Sequence, residues 1–177
     1  MVDVVERVGL DDVAYVILEA GGRSWYPGRF WQPHEAHAPW LGWSIEACER
    51  ALDRLAQAGV EPRRVVVGGF SQGACVVAEW VASHPRAYAG VAILTGSLMG
   101  PHLAARELPA LGGLRVVAAT SEFDDWVPFD LAEASVRCFE RAGASVEFRA
   151  SNEREHRVGD DAVGALRDLL RGDGGSK

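Results

Sequence analysis

The chain has 177 residues, enough for one domain with a core of its own, and its 48% hydrophobic and 24% charged composition is that of an ordinary globular protein. A formal charge of -7 and a pI near 5.2 argue against a nucleic-acid partner. No apolar run reaches the ~18 residues of a membrane span, and no basic stretch followed by an apolar core opens the chain, so a cytoplasmic location is the expectation.

Residues 1–8 read as the end of an amphipathic helix, with Val4, Val5 and Val8 on one face. Residues 13–18 are a continuous apolar run, which predicts a strand buried on both faces. Residues 21–43 show no period and hold four of the six tryptophans, Trp25, Trp31, Trp40 and Trp43, with Tyr26 and Phe30 among them. A loop this long inside a compact domain is usually functional. Trp25, Tyr26, Phe30, Trp31 and Trp40 read either as the wall of an acyl or aryl pocket or as the loop's own packing. His34 and His37 flank Glu35 but lack a third ligand, so they read as loop polar groups rather than a metal pair. Residues 44–58 are predicted as a helix capped by Ser44, with Ile45, Cys48, Leu52 and Leu55 as its stripe and Gly59 as its stop.

The second half alternates. Strands are predicted over 65–69, 91–94, 114–120 and 145–149, and helices over 72–83, 130–142 and 160–170. That alternation predicts a parallel sheet covered on both faces, one α/β domain over residues 1–170, and a glycine-rich tail over 171–177. Functional groups are then expected at the carboxyl ends of the strands. Cys48, Cys75 and Cys138 lack metal-type spacing and sit in helical patterns, where a small buried apolar residue is the plainer role.

The chain is organised around Val65-Val66-Val67-Gly68-Gly69-Phe70-Ser71-Gln72-Gly73-Ala74, a β-branched run, a G-x-S-x-G and an apolar helix. That is the context of a nucleophile elbow, in which a sharp turn presents a serine above the free N–H groups of a helix start. A serine nucleophile of this class is followed in the chain by an acid and then a histidine. The acidic loop Ser121-Glu122-Phe123-Asp124-Asp125-Trp126-Val127-Pro128 follows one strand and offers Asp124 or Asp125. His156 follows the last strand and is the only histidine beyond that loop. Cys75, a helical turn past Ser71, is disfavoured as a thiol nucleophile.

The segment Gly69-Phe70-Ser71-Gln72-Gly73-Ala74-Cys75 resembles the signature of the phospholipase/carboxylesterase family, which includes acyl-protein thioesterases. Residues 24–30, 39–41 and 96–101 are similar to bacterial members, Asp124-Asp125-Trp126-Val127-Pro128 resembles the family's D-x-x-V-P, and His156-Arg157-Val158 matches its catalytic histidine. The resemblance implies an α/β-hydrolase fold and favours Asp124 over Asp125 as the acid of a Ser71–His156–Asp124 triad. It further implies Gln72 N–H as an oxyanion donor, a small ester or thioester as substrate, and no cofactor or metal.

Two departures stand against it. Family members begin with a strand and an H-G-x-G-like loop that supplies the other oxyanion donor, whereas Met1 here matches the helix after that loop. The expectation is an N-terminally truncated fold with three possible remedies: a start further upstream, a sheet that closes its gap, or a homo-oligomer whose second chain lends a strand. Missing that donor makes a weak or inactive relative that binds an apolar ligand or partner chain the alternative function. The second departure is Glu155, where relatives place glycine before the histidine. It reads as a carboxylate that raises the pKa of His156 or, the favoured reading, as a solvated residue.

Overall fold

A computed structural model describes residues 1–172. Four parallel strands, β1 (Val66–Phe70), β2 (Gly90–Leu94), β3 (Arg115–Ser121) and β4 (Ser145–Ser151), lie side by side in chain order. Five α-helices cover them: α1 (Val2–Val8), α2 (Trp40–Gln57), α3 (Gln72–Ser83), α4 (Phe129–Arg141) and α5 (Asp160–Arg171). No helix among the described residues is long and apolar enough to cross a membrane.

Alternation along the strands divides the interior into two cores. Val91 and Ile93 of β2 and Val116 and Ala118 of β3 face one side, where α2, α3 and α4 pack. Their neighbours Ala92, Leu94, Val117 and Ala119 face the other, against α1 and α5. Successive strand residues point to opposite faces, so unbroken apolar runs build a sheet buried on both sides. The small α1 is fastened to α5 by more than Val4 and Val8. Arg167 of α5 donates to the carbonyls of Arg7 and Val8 at 2.9 and 2.8 Å, satisfying acceptors at the carboxyl end of α1.

The helix and strand expectations of the second half match these elements to within two residues at each end. Two earlier expectations need correction. Residues 13–18 form no strand; they run as irregular chain, with Val16 59% and Ile17 40% exposed. An apolar run becomes a strand only where a neighbour accepts its backbone hydrogen bonds, and this run pairs with none of the four strands. β1 is therefore an edge strand among the described residues. The second correction concerns α2, which starts at Trp40, directly after Pro39, and not at Ser44. Ser44 caps nothing; its hydroxyl donates to the Trp25 carbonyl at 2.8 Å and fastens the aromatic loop to α2. Of the residues expected as a tail, Arg171 closes α5 and Gly172 caps it, and residues 173–177 lie outside the described residues.

Candidate active site

Ser71 sits between β1 and α3 with φ 56 and ψ -125, a backbone conformation that residues with a side chain rarely adopt. The turn is possible because Gly69 lets the chain fold back on itself. A Cβ at Gly69 would lie 2.3 Å from the Gly73 carbonyl carbon. Ser71 N–H donates to Leu94 at the end of β2, and its carbonyl accepts from Ala74 and Cys75, closing the first turn of α3. The N–H groups of Gln72 and Gly73 are left without a partner among the described residues, as the first amides of a helix must be.

Two loops from other strands converge on this serine. The loop after β4 brings His156 Nε2 to 2.7 Å from Ser71 Oγ. The loop after β3 brings Asp124 Oδ2 to 2.7 Å from His156 Nδ1. Asp124 Oδ1 accepts the N–H groups of Trp126 and Val127, each at 2.8 Å, so both carboxylate oxygens are engaged and the side chain is fully buried. Asp125 has no part in this chain of contacts. The imidazole is a quarter exposed and lies between the rings of Phe70 and Trp126, with centroids 5.1 and 6.3 Å away. Glu155 turns to Arg157 at 3.3 Å and is largely in solvent. Cys75 is buried, and burial first of all pushes its thiol up to about 11, so it stays protonated within α3.

The aromatic loop splits between core and rim. Tyr26 and Phe30 are buried with α3 in the larger core and wall no open space. Trp40 stacks on Trp43 at the surface. Of the five aromatic residues read as a possible pocket wall, Trp25 borders the elbow, its indole nitrogen 3.5 Å from where a Gly73 Cβ would stand. What holds it there is the side chain of Gln72. Its Oε1 accepts from Trp25 N–H at 3.1 Å and its Nε2 donates to the Tyr26 carbonyl at 3.1 Å, a reciprocal pair that sequence reasoning missed.

Also missed was Glu79, a lone carboxylate within the apolar face of α3. It accepts two hydrogen bonds from Arg106 at 2.6 and 2.8 Å, one from Met99 N–H at 2.6 Å and one from His34 Nε2 at 3.1 Å. Burial alone would raise its pKa. The hydrogen bonds from His34 and Arg106, with the charge of Arg106, outweigh that and hold it below the usual carboxylate range. His34 is correspondingly raised, chiefly by its hydrogen bond to Glu79. His37 makes a separate contact, Nδ1 to the Pro27 carbonyl at 3.0 Å.

A strained serine at a strand–helix turn, with a histidine and a buried aspartate behind it from later loops, is an arrangement that can support acyl transfer. The family model for phospholipase/carboxylesterase matches residues 11–172. The chain belongs to the phospholipase/carboxylesterase family. Among its relatives is a probable carboxylesterase of Oryza sativa subsp. japonica, 24% identical over 129 residues, which are 72% of this chain and 48% of that protein. The chain thus spans about half the length of the curated relative it matches. A phospholipase/carboxylesterase structure from Dyadobacter fermentans superposes with a TM-score of 0.77 at 25% identity, over 86% of this chain and 73% of that one. A Mesorhizobium loti carboxylesterase superposes at 0.68 with 18% identity, over 97% and 81%. The family's α/β-hydrolase fold is therefore the fold of this chain, and β1 to β4 with their helices are the part of it that carries the site.

Proposed function

We propose that the chain hydrolyses small carboxylic esters or thioesters through a serine acyl-enzyme. The observation that carries this reading is the position of His156, 2.7 Å from both Ser71 Oγ and Asp124 Oδ2, across three loops distant in sequence.

In this reading Nδ1–H donates to Asp124, which leaves Nε2 as the acceptor for the Ser71 proton. As that proton moves to Nε2, Oγ forms its bond to the substrate carbonyl carbon and the carbonyl π electrons move onto oxygen. Gln72 N–H, unpartnered at the start of α3, faces that developing charge. The intermediate collapses, the leaving alkoxide or thiolate takes the proton from Nε2, and Ser71 is acylated. Water then repeats both half-steps against the acyl-enzyme. Asp124, held by two backbone N–H groups, fixes the imidazole tautomer and stabilises the imidazolium. Every proton in this sequence passes through His156, so no cofactor or metal is required.

The test is burst kinetics with p-nitrophenyl butyrate, beside labelling by a neutral organophosphonate, on the wild type and Ser71→Ala. A burst and a covalent adduct on the wild type alone are expected. A folded protein that gives neither overturns the reading in favour of a ligand-binding relative.

A further inference from the structure

We propose that Arg29 selects esters that carry an anionic group, such as a carboxylate, a short chain away from the scissile carbonyl. The proposal rests on the ester-hydrolase reading and extends it to a substrate class.

Arg29 is held in a local clasp. Its backbone N–H donates to Gln32 Oε1 at 2.9 Å, and the amide of Gln32 fits only because Gly28, at φ 75, has no side chain. A Cβ there would lie 2.1 Å from Gln32 Oε1. From this anchor the exposed guanidinium reaches two rings. Its Cζ lies 4.7 Å from the ring centre of Trp126 and 5.5 Å from that of Trp31. Trp126 in turn is the ring 6.3 Å from His156. Arg29 thus bridges the aromatic loop and the Asp124 loop, two ring contacts from the imidazole that holds Ser71.

Stacking occupies the faces of a guanidinium and leaves its in-plane N–H donors available. Among the described residues those donors meet no acceptor, and no carboxylate lies within 4.0 Å. Arginines that fasten this fold look different. The forks of Arg86 and Arg106 are filled by Glu49 and Glu79. Arg157, next to His156 in the chain, is neutralised by Glu153 and Glu155. Trp126 is 58% exposed, and its ring meets both His156 and this cation. An oriented fork with free donors on an aromatic platform is a carboxylate-binding arrangement.

The experiment compares isosteric pairs of esters. Methyl hexanoate against monomethyl adipate places the carboxylate on the acyl chain; hexyl acetate against the acetate ester of 6-hydroxyhexanoate places it on the alcohol. In at least one pair the wild type is expected to favour the anionic ester in kcat/KM by about ten-fold at low salt, with the preference shrinking as salt rises. Arg29→Gln is expected to lower that ratio by about ten-fold. Arg154→Gln, which removes a guanidinium of the loop after β4 that lies over Phe123 of the loop after β3, should leave it within about two-fold. Labelling by the neutral phosphonate reports that Arg29→Gln is folded, and Arg29→Met, which also removes the charge, is read in its place where it does not label. An active Arg29 variant with an unchanged ratio overturns the proposal and spares the esterase reading. An equal loss in Arg154→Gln overturns it too, by making the preference a general field. A wild type that takes the phosphonate but prefers neutral esters sinks the substrate class alone. Absence of both labelling and hydrolysis removes the esterase reading, and the proposal with it.

Discussion

In the proposed function Ser71 carries the chemistry, and its turn carries strain; the two separate by mutation. Ser71→Ala is expected to lower kcat by about 10⁶-fold, and Asp124→Asn by about 10⁴-fold, because the amide would favour the wrong imidazole tautomer. Hydrolysis of p-nitrophenyl butyrate measures both. At φ 56 and ψ -125 any residue with a Cβ is strained by about 1–3 kcal/mol, which alanine keeps and glycine relieves. Set against about 0.5–1 kcal/mol for glycine's freer unfolded chain, Ser71→Gly should melt up to about 10 °C above Ser71→Ala, with both inactive. A Ser71→Gly that melts clearly below Ser71→Ala would mean that the elbow stores no strain. Ser71, Asp124 and His156 were legible in the sequence because chain order leaves few candidates once a strand–turn–helix frames the serine. Gln72 was legible only by its backbone N–H. Its side-chain grip on Trp25 and Tyr26 depends on where residues 24–26 fold, which no local pattern encodes. Arg29 was hidden for the same reason. Glu79 did leave a trace, as one carboxylate in the apolar run of residues 74–82, and a buried charge demands a partner elsewhere in the chain.

Glu79 also decides how α3 is locked to its surroundings, which is a matter of elements. Through Arg106, Met99 and His34 it joins the nucleophile helix to the Gly/Pro loop after β2 and to the aromatic loop. Glu79→Gln leaves Arg106 without its anion and removes acceptor strength from Met99 N–H, a loss of about 3 kcal/mol by comparison with other buried pairs broken on one side. For a chain of this size that is about 6–12 °C in Tm, measurable by thermal unfolding. The pH dependence follows from the two shifts. Glu79 is depressed when folded, so its contribution is complete above about 4.5 and is lost as pH falls through its folded value. His34 is raised when folded, so its contribution is complete below about 6.5 and is lost as pH rises through its folded value. The Tm gap between wild type and His34→Gln should thus be widest between about pH 4.5 and 6.5 and narrow at alkaline pH, by a small amount since His34 is half-exposed. A gap that is flat across pH would remove His34 from the lock. The elements themselves were readable wherever their own residues settle them. Apolar runs flanked by helices gave β1 to β3, and the strand–helix alternation gave β4. Residues 13–18 failed because a strand must also lie alongside another, and this run lies along none of the four, a fact about the sheet and not about those six residues.

At the scale of the whole molecule the same segment sets the balance between solubility and association. β1 forms one margin of the sheet, with backbone groups on its outer side that pair with no described strand, and Val16 and Ile17 add exposed apolar surface elsewhere. An unpaired edge and exposed β-branched residues favour contact between copies. The formal charge of -7 opposes it at neutral pH, through repulsion that weakens as the charge falls toward zero near pH 5.2 and as salt screens it. Self-association is therefore expected to grow as pH is lowered from 8 toward 5.5 at fixed concentration, and to grow with salt at pH 8. Val16→Glu with Ile17→Glu removes apolar surface while adding negative charge, so it should reduce the mean mass at every pH tested by light scattering. This double variant also separates the two causes. If it abolishes association, the exposed segment drives it; if association persists with the same pH profile, the β1 edge does; and a wild type that is monomeric down to pH 5.5 shows that charge is not what keeps the copies apart.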